Sequence, residues 1–224
     1  RLCFLGDLVD RGPQSLRVLD IVRSAVAQGH YCVAGNHDTN LLRGLRGEAI
    51  KSRSTRATLH TLCQQDLEYQ DTIKQFLQGL PTFNRYRDYI LCHADIDWFD
   101  PLEQPGRERV YGKRKLHSTY DTDSIFRQTS DYHLVRGHIP LTTPDDTPQA
   151  SANGSAAVFA LEEGAGFGGP LVSMRLPSQE KMRYPCEFDY RQKPPSFSDQ
   201  MAGLIKEKLV KQVTSPCNRL KLYK

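Results

Sequence analysis

Four short stretches of this 224-residue chain put oxygen- and nitrogen-bearing side chains directly behind an apolar run. Leu5-Gly6-Asp7-Leu8-Val9-Asp10-Arg11-Gly12 holds two carboxylates three residues apart, with an arginine and two glycines beside them. Gly35-Asn36-His37-Asp38 follows a second apolar run, His93-Ala94-Asp95 a third and Gly137-His138 a fourth. Carboxylate, amide and imidazole are hard to borderline donors of the kind that Mn²⁺, Fe and Zn²⁺ accept, and a guanidinium next to them suits phosphate oxygens. A Gly-Asp step after a strand is a common turn, and a single histidine is more often structural than functional. Four such residues behind four strands are more economically explained by one shared rim.

Strands must therefore end at these residues, with helices between them. The apolar residues 1–5 read as a buried strand that delivers Asp7. Pro13 suits the first turn of a helix in which Leu16, Leu19, Val22 and Val26 recur near a 3.6-residue period, ending at Gly29. Residues 30–34 read as a second strand and a helix follows from about Thr39. A helix pair is expected to fill 39–80, its first member (52–62) polar and basic, its second (71–80) with Ile73, Phe76, Leu77 and Leu80 on one face. That region is either a lid over the site or a solvated surface. Further strands are expected at 89–92, 132–135, 156–161 and 171–176, with Gly168-Gly169 as a hairpin turn. Residues 97–132 are polar and loop-rich, with Lys113-Arg114-Lys115 as a solvated face, and 144–154 has the composition of a surface loop. Strand-helix alternation favours parallel pairing, and such sheets place ligands beyond the carboxyl ends of their strands. Gly6 and Gly12 are expected to let the turn hug a ligand.

Composition excludes several classes. With 38% hydrophobic and 25% charged residues the chain can bury a core and lacks the signature of disorder. The six cysteines are scattered without a Cys-x-x-Cys pair, so neither a zinc site nor a redox dithiol is indicated, and Cys3, Cys32 and Cys92 read as core residues. A net charge of +4 permits an anionic substrate. No run of apolar residues is long enough for a membrane span and no secretory signal is visible, so the expected setting is cytoplasmic, without a membrane partner. There is no Gly-x-Ser-x-Gly elbow, Walker loop or Gly-x-Gly-x-x-Gly fingerprint. Residues 1–5 read as the middle of a strand with nothing before it, which leads us to expect further residues upstream.

Taken in order, Gly6-Asp7-Leu8-Val9-Asp10-Arg11-Gly12, Gly35-Asn36-His37-Asp38, His93-Ala94 and Gly137-His138 resemble the motif series of the calcineurin-like metallophosphoesterases, in its phosphoprotein phosphatase branch. Asp38 in place of glutamate leans towards bacterial members. Arg11-Gly12-Pro13-Gln14-Ser15, the run from Asn40 to Gly47, and Phe167-Gly168-Gly169-Pro170-Leu171 are most similar to the phosphatase module of bacterial polynucleotide kinase-phosphatase. Bacterial diadenosine tetraphosphatases and protein phosphatases are similar too. The resemblance covers residues 1–177.

It implies an α/β fold, a metallophosphatase-type sandwich of two mixed β-sheets flanked by helices. It also implies a two-metal phosphoesterase using Mn²⁺, or alternatively Fe, Zn²⁺ or Ni²⁺. Asp7 would bridge the metals while Asn36, His93 and His138 complete one of them, and a metal-held hydroxide would attack phosphorus in line. His37 would protonate the leaving oxygen, held by Asp10, and Arg11 would grip the phosphate. The preferred substrate is a phosphomonoester on a nucleic acid end or a nucleotide. Phosphoproteins and dinucleoside polyphosphates are alternatives, as is a scaffold that has lost catalysis and only binds. Two departures stand out: the family's upstream Gly-Asp-x-His-Gly motif has no match here, and Glu162 stands where relatives often have Asp, where it would accept a hydrogen bond from a metal-ligating histidine.

Residues 178–224 form an extension outside the resemblance. Its part at 184–198 is rich in proline and aromatics. Residues 201–213 read as an amphipathic helix, with Met201, Leu204, Ile205, Leu209 and Val213 set apart from Lys206, Lys208 and Lys211. Such a helix either packs back on the domain or docks a partner domain or nucleic acid phosphates.

Overall fold

Two short parallel strands, β1 (Cys3–Phe4) and β2 (Tyr31–Cys32), open the chain in the computed structural model, which describes residues 1–94, 132–139, 149–150 and 156–186. Helix α1 (Ser15–Ala27) makes the crossover between them and buries Leu19 and Val22. It starts two residues beyond Pro13. Asp10 and Arg11 both have positive φ and the Gly12 N–H donates to the Asp10 carbonyl at 2.6 Å, so the chain is still turning when it reaches the proline.

Helix α2 (Asn36–Leu45) begins three residues earlier than Thr39. Gly35 is its extended N-cap, and the Asp38 side chain accepts from the Gly35 N–H at 2.9 Å, the N3 half of a capping box. Asn36 and His37 therefore sit in the first helical turn, where residue spacing fixes their directions. Residues 39–80 hold the rest of α2, then α3 (Arg53–Cys63), capped by the Ser52 hydroxyl, and α4 (Leu67–Gln78), capped by the Asp66 carboxylate. Part of the polar surface of α3 does not point at water. Thr55 and Thr58 are among its buried residues.

The main sheet runs β3-β4-β5-β7-β6, formed by Phe83–Tyr86, Tyr89–Cys92, His133–Arg136, Ala157–Ala160 and Gln149–Ala150 respectively. Its central strands β4, β5 and β7 are parallel and its edge strands antiparallel. Tyr89, Leu91, Val135, Ala157 and Phe159 face Cys3, Leu5, Met174 and Leu176, whereas Ile90, Cys92, Leu134 and Val158 cover the other face with Phe83 and Tyr132. Burial on both faces is why these strands read as unbroken apolar runs. A second core lies between the helices and β1–β2, centred on Leu19, Leu41, Leu62 and Ile73. The mixed α/β architecture is the expected one, with the described strands divided among three hydrogen-bonded sheets.

The third sheet corrects the reading of Gly168-Gly169 as a hairpin turn. Strand β8 (Leu171–Arg175) pairs with β9 (Glu180–Tyr184) and not with the strand before the glycines. Gly168, at φ 85°, ends a one-turn 3₁₀ helix (Ala165–Phe167), and a Cβ on Gly169 would lie 1.9 Å from the Glu163 carbonyl oxygen. The hairpin carries ordered pairing past Pro177 to Tyr184. Within 144–154, read as loop, Gln149–Ala150 pair with β7 as an edge strand. The basic cluster 113–115 and the helix expected at 201–213 lie outside the described residues. No helix among the described residues is long and apolar enough to cross a membrane.

Candidate active site

Backbone crossing decides where the first two motifs meet. A Cβ on Gly6 (φ 81°) would lie 2.4 Å from the Gly35 nitrogen, and one on Gly35 would lie 2.2 Å from the Asp7 nitrogen. Gly6 thus hugs another stretch of chain and not a ligand, and Gly12 faces open space, its nearest such contact being 3.9 Å away. Asp38 locks the crossing. Its buried carboxylate accepts from the N–H groups of Asp7 (2.8 Å), Leu8 (2.9 Å) and Gly35 (2.9 Å). Burial, aided by the charge of Asp7, pushes the Asp38 carboxyl up to about 6 in spite of these bonds. Because backbone cannot move aside as a side chain can, Gly35→Ala is expected to destabilise the fold by at least about 1–3 kcal/mol. Thermal unfolding checks this; an unchanged midpoint would refute the crossing.

Asp7, His93 and His138 bring ligand atoms within 4.8 Å of one another. His93 is the centre of the group: its Nε2 lies 3.1 Å from Asn36 Oδ1, 3.2 Å from His138 Nδ1 and 3.4 Å from Asp7 Oδ1. Its Nδ1 lies 2.6 Å from the Leu5 carbonyl oxygen. A carbonyl only accepts, so Nδ1 carries a proton; Nε2 then donates to Asp7 when the ring is charged and offers a lone pair to a cation when the ring is neutral. Burial works against charge on Asp7, but the hydrogen bond and charge of His93 and the charge of His37 hold its carboxyl down at about 2. Burial also disfavours charge on His93, yet Asp7 raises its pKa; burial and then the His93 charge lower that of His138. Two oxygens and two imidazole nitrogens, converging from four strand ends with lone pairs turned inward, fit a divalent cation.

Beside this group His37 stands between two acids. Its backbone N–H donates to Asp7 Oδ1 at 3.0 Å and its Nδ1 lies 2.5 Å from Asp10 Oδ2. Nε2 faces Arg11 Nη2 at 3.3 Å and Asp7 Oδ2 at 4.0 Å. Burial lowers the pKa of His37, but the hydrogen bond it donates to Asp10 and the charges of Asp7 and Asp10 raise it on balance. Asp10 is also buried, and hydrogen bonds from His37, Thr55 and Thr58 outweigh the burial and lower its pKa. The guanidinium of Arg11 lies 4.2 Å from the ring centroid of Phe167, a cation–π distance, and Gly166 leaves room for its stem: a Cβ there would lie 2.6 Å from Arg11 Cδ. Among the described residues, six non-glycine positions have positive φ, and four of them are Asp7 (55°), Asp10 (75°), Arg11 (59°) and His138 (56°).

The structure brings all seven residues singled out from the sequence, Asp7, Asp10, Arg11, Asn36, His37, His93 and His138, into one place. It corrects Glu162. That carboxylate accepts from the Gly164 N–H at 2.6 Å, with no histidine on it among the described residues, because the chain turns at once into the 3₁₀ helix. Three features escaped the reading: the Asp38 clamp, the hydroxyls of α3 around Asp10, and the Phe167–Gly166 seat for Arg11. The Asp38 clamp had a signal in an acidic residue at the third helical position after Gly35, where it can accept from the cap's N–H. The α3 hydroxyls had one in the three-residue interval between Thr55 and Thr58.

A model of the calcineurin-like phosphoesterases matches residues 2–165. The bis(5'-nucleosyl)-tetraphosphatase PrpE (asymmetrical) of Anoxybacillus flavithermus is 29% identical over 206 residues, covering 85% of this chain and 81% of its own length. The protein of the same name from Bacillus subtilis is 27% identical over 207 residues, covering 84% and 81%. Among solved structures, one named for a diadenosine tetraphosphatase superposes with a TM-score of 0.58 at 21% identity, over 82% of this chain and 79% of that one. At that identity the superposition speaks for the fold alone.

Proposed function

Because the chain belongs to the calcineurin-like phosphoesterase family, whose members are divalent-metal-dependent hydrolases, and is itself a phosphoester-hydrolysing enzyme, we propose that it cleaves the polyphosphate chain of a dinucleoside tetraphosphate. The observation that carries the chemistry is the convergence of Asp7, Asn36, His93 and His138 beside the His37–Asp10 pair. The substrate is supported by the names of the relatives, which match a dinucleoside polyphosphate better than the nucleic acid end first favoured.

When bound, two divalent ions, Mn²⁺ first among the candidates, would polarise the phosphorus centre and acidify the attacking water. Asn36, His93 and His138 would hold one ion. Asp7 would supply the anionic carboxylate for the metals, its Oδ1 facing His93 and its Oδ2 facing His37. His37 donates the Nε2 proton to the leaving oxygen, and the Asp10 carboxylate against Nδ1 keeps the ring oriented and favours its charged form. Arg11, a fork of donors beside His37, binds the phosphate oxygens and in doing so vacates Nε2. Phe167 and Gly166 keep that fork aimed.

The test is turnover with Mn²⁺ of di(adenosine) tetraphosphate, p-nitrophenyl phosphate and a 3′-phosphorylated oligonucleotide side by side. The tetraphosphate is expected to give AMP and ATP with the highest kcat/KM. Preference for the oligonucleotide would restore the monoester reading, and no turnover of any of them would overturn both. Chelation is expected to stop turnover and to lower the unfolding temperature, since saturating metal at about 100 times its Kd adds about 2.7 kcal/mol to stability.

A further inference from the structure

One helix surrounds the Asp10 carboxylate with hydroxyls. Thr55 Oγ1 on α3 reaches Asp10 Oδ2 at 2.6 Å, Thr58 Oγ1 reaches Oδ1 at 2.7 Å and Ser54 Oγ reaches Oδ2 at 3.2 Å. With His37 Nδ1 also on Oδ2, the carboxylate has about as many donors as it has lone-pair sites. Each threonine hydroxyl has one proton and a second acceptor within reach: Ser52 Oγ at 3.0 Å for Thr55, and the Ser54 carbonyl, one turn back on the helix, at 3.3 Å for Thr58. In both cases Asp10 is nearer and charged, so it takes the proton. Thr55 is fully buried and Thr58 is 8% exposed, so neither hydroxyl has bulk water as an alternative.

An apolar pair would fill these two positions of a buried helix face equally well, and Asp10 leaves its loop with left-handed backbone, its own N–H donating to Ser15 Oγ at 3.1 Å. The direction of its carboxylate is therefore set from α3. We propose that Thr55 and Thr58 are positioning residues that aim the Asp10 carboxylate and through it the His37 ring, so that α3, outside every motif of the site, governs how well the enzyme handles poor leaving groups. The inference rests on His37 as the proton donor proposed above.

The test compares p-nitrophenyl phosphate, whose leaving group departs with little need of a proton, with phenyl phosphate, whose leaving group needs one. Thr55→Val with Thr58→Val removes both hydroxyls at nearly constant volume. It is expected to lower kcat on phenyl phosphate about ten- to hundred-fold, part of what general acid catalysis supplies. On p-nitrophenyl phosphate the fall is expected to be about two- to three-fold, with KM little moved, since most of the proton-donor contribution is dispensable there. Thr55→Ser with Thr58→Ser keeps the hydroxyls and is expected to keep the wild-type ratio of the two rates. Equal losses on both esters, no loss, or a serine pair as impaired as the valine pair would overturn the proposal. Should the valine pair not fold, Thr58→Val alone makes the same comparison, because Thr58 is the hydroxyl on Oδ1. A wild-type chain that cleaves the tetraphosphate but neither ester overturns this inference alone; one that cleaves none of the three takes the phosphoesterase reading down as well.

Discussion

Asp7→Asn is expected to lower kcat by on the order of 10³-fold or more, the equivalent of the several kcal/mol that metal ions contribute to a transition state. Asparagine is the informative replacement. It has the same shape, tolerates the left-handed φ of 55° at this position and still accepts the His37 N–H, so what it removes is charge. Asp7 is the one anionic member of the donor group, kept ionised down to about 2 by its histidine neighbours. The metal-free variant should fold as well as the wild type. It should nevertheless lose the rise in unfolding temperature that metal produces. A variant that keeps more than a tenth of the wild-type rate would mean that Asp7 is structural and that the site works another way.

Asp10→Asn is expected to cost about 10²- to 10⁴-fold on a substrate with a poor leaving group, and to move the pH profile in a defined direction. In the wild type, burial lowers the pKa of His37, but the hydrogen bond to Asp10 and the charges of Asp7 and Asp10 together raise it, so the ring stays protonated further up the pH scale than an ordinary histidine. The proton-donating form is present below that raised pKa and is lost as pH rises through it. With the carboxylate gone, burial and Arg11 are left pulling the pKa down against the charge of Asp7. The alkaline limb of the kcat profile should therefore shift to lower pH in Asp10→Asn, and a limb that stays in place would exclude His37 as the group that titrates there.

How much of this was legible in the sequence follows the range of the interactions. The strand ends could be read because β4 and the middle of β5 are buried on both faces, which makes them apolar runs, and because His93 and His138 follow these two strands closely in the chain, as Asn36 follows the buried run 32–34. Helix starts were less legible. Pro13 signals a first turn only if the preceding residues permit it, and the left-handed Asp10 and Arg11 do not. The face of α3 could not be read at all from polarity: Thr55 and Thr58 look like solvated residues until a carboxylate from 45 residues earlier is placed against them. The same holds for Phe167, whose role depends on a guanidinium brought from the other end of the domain. Gly168-Gly169 was misread because its dipeptide matches a hairpin turn, while what excludes a side chain there is the carbonyl of Glu163, a longer-range crowding that local composition does not record.

The left-handed backbone at Asp7, Asp10, Arg11 and His138 has a consequence for how such a chain can change over generations. Non-glycine residues held in that region cost about 1–3 kcal/mol each, a cost that glycine would relieve. At these four positions the replacement that most relaxes the backbone is also the one that removes the chemistry. A lineage selected only for thermal robustness, with no demand on turnover, would drift to glycine first at the residues that define the enzyme, leaving a sturdier protein with the same cores and no reaction. Engineering for stability should therefore spare these four positions and begin at the helices.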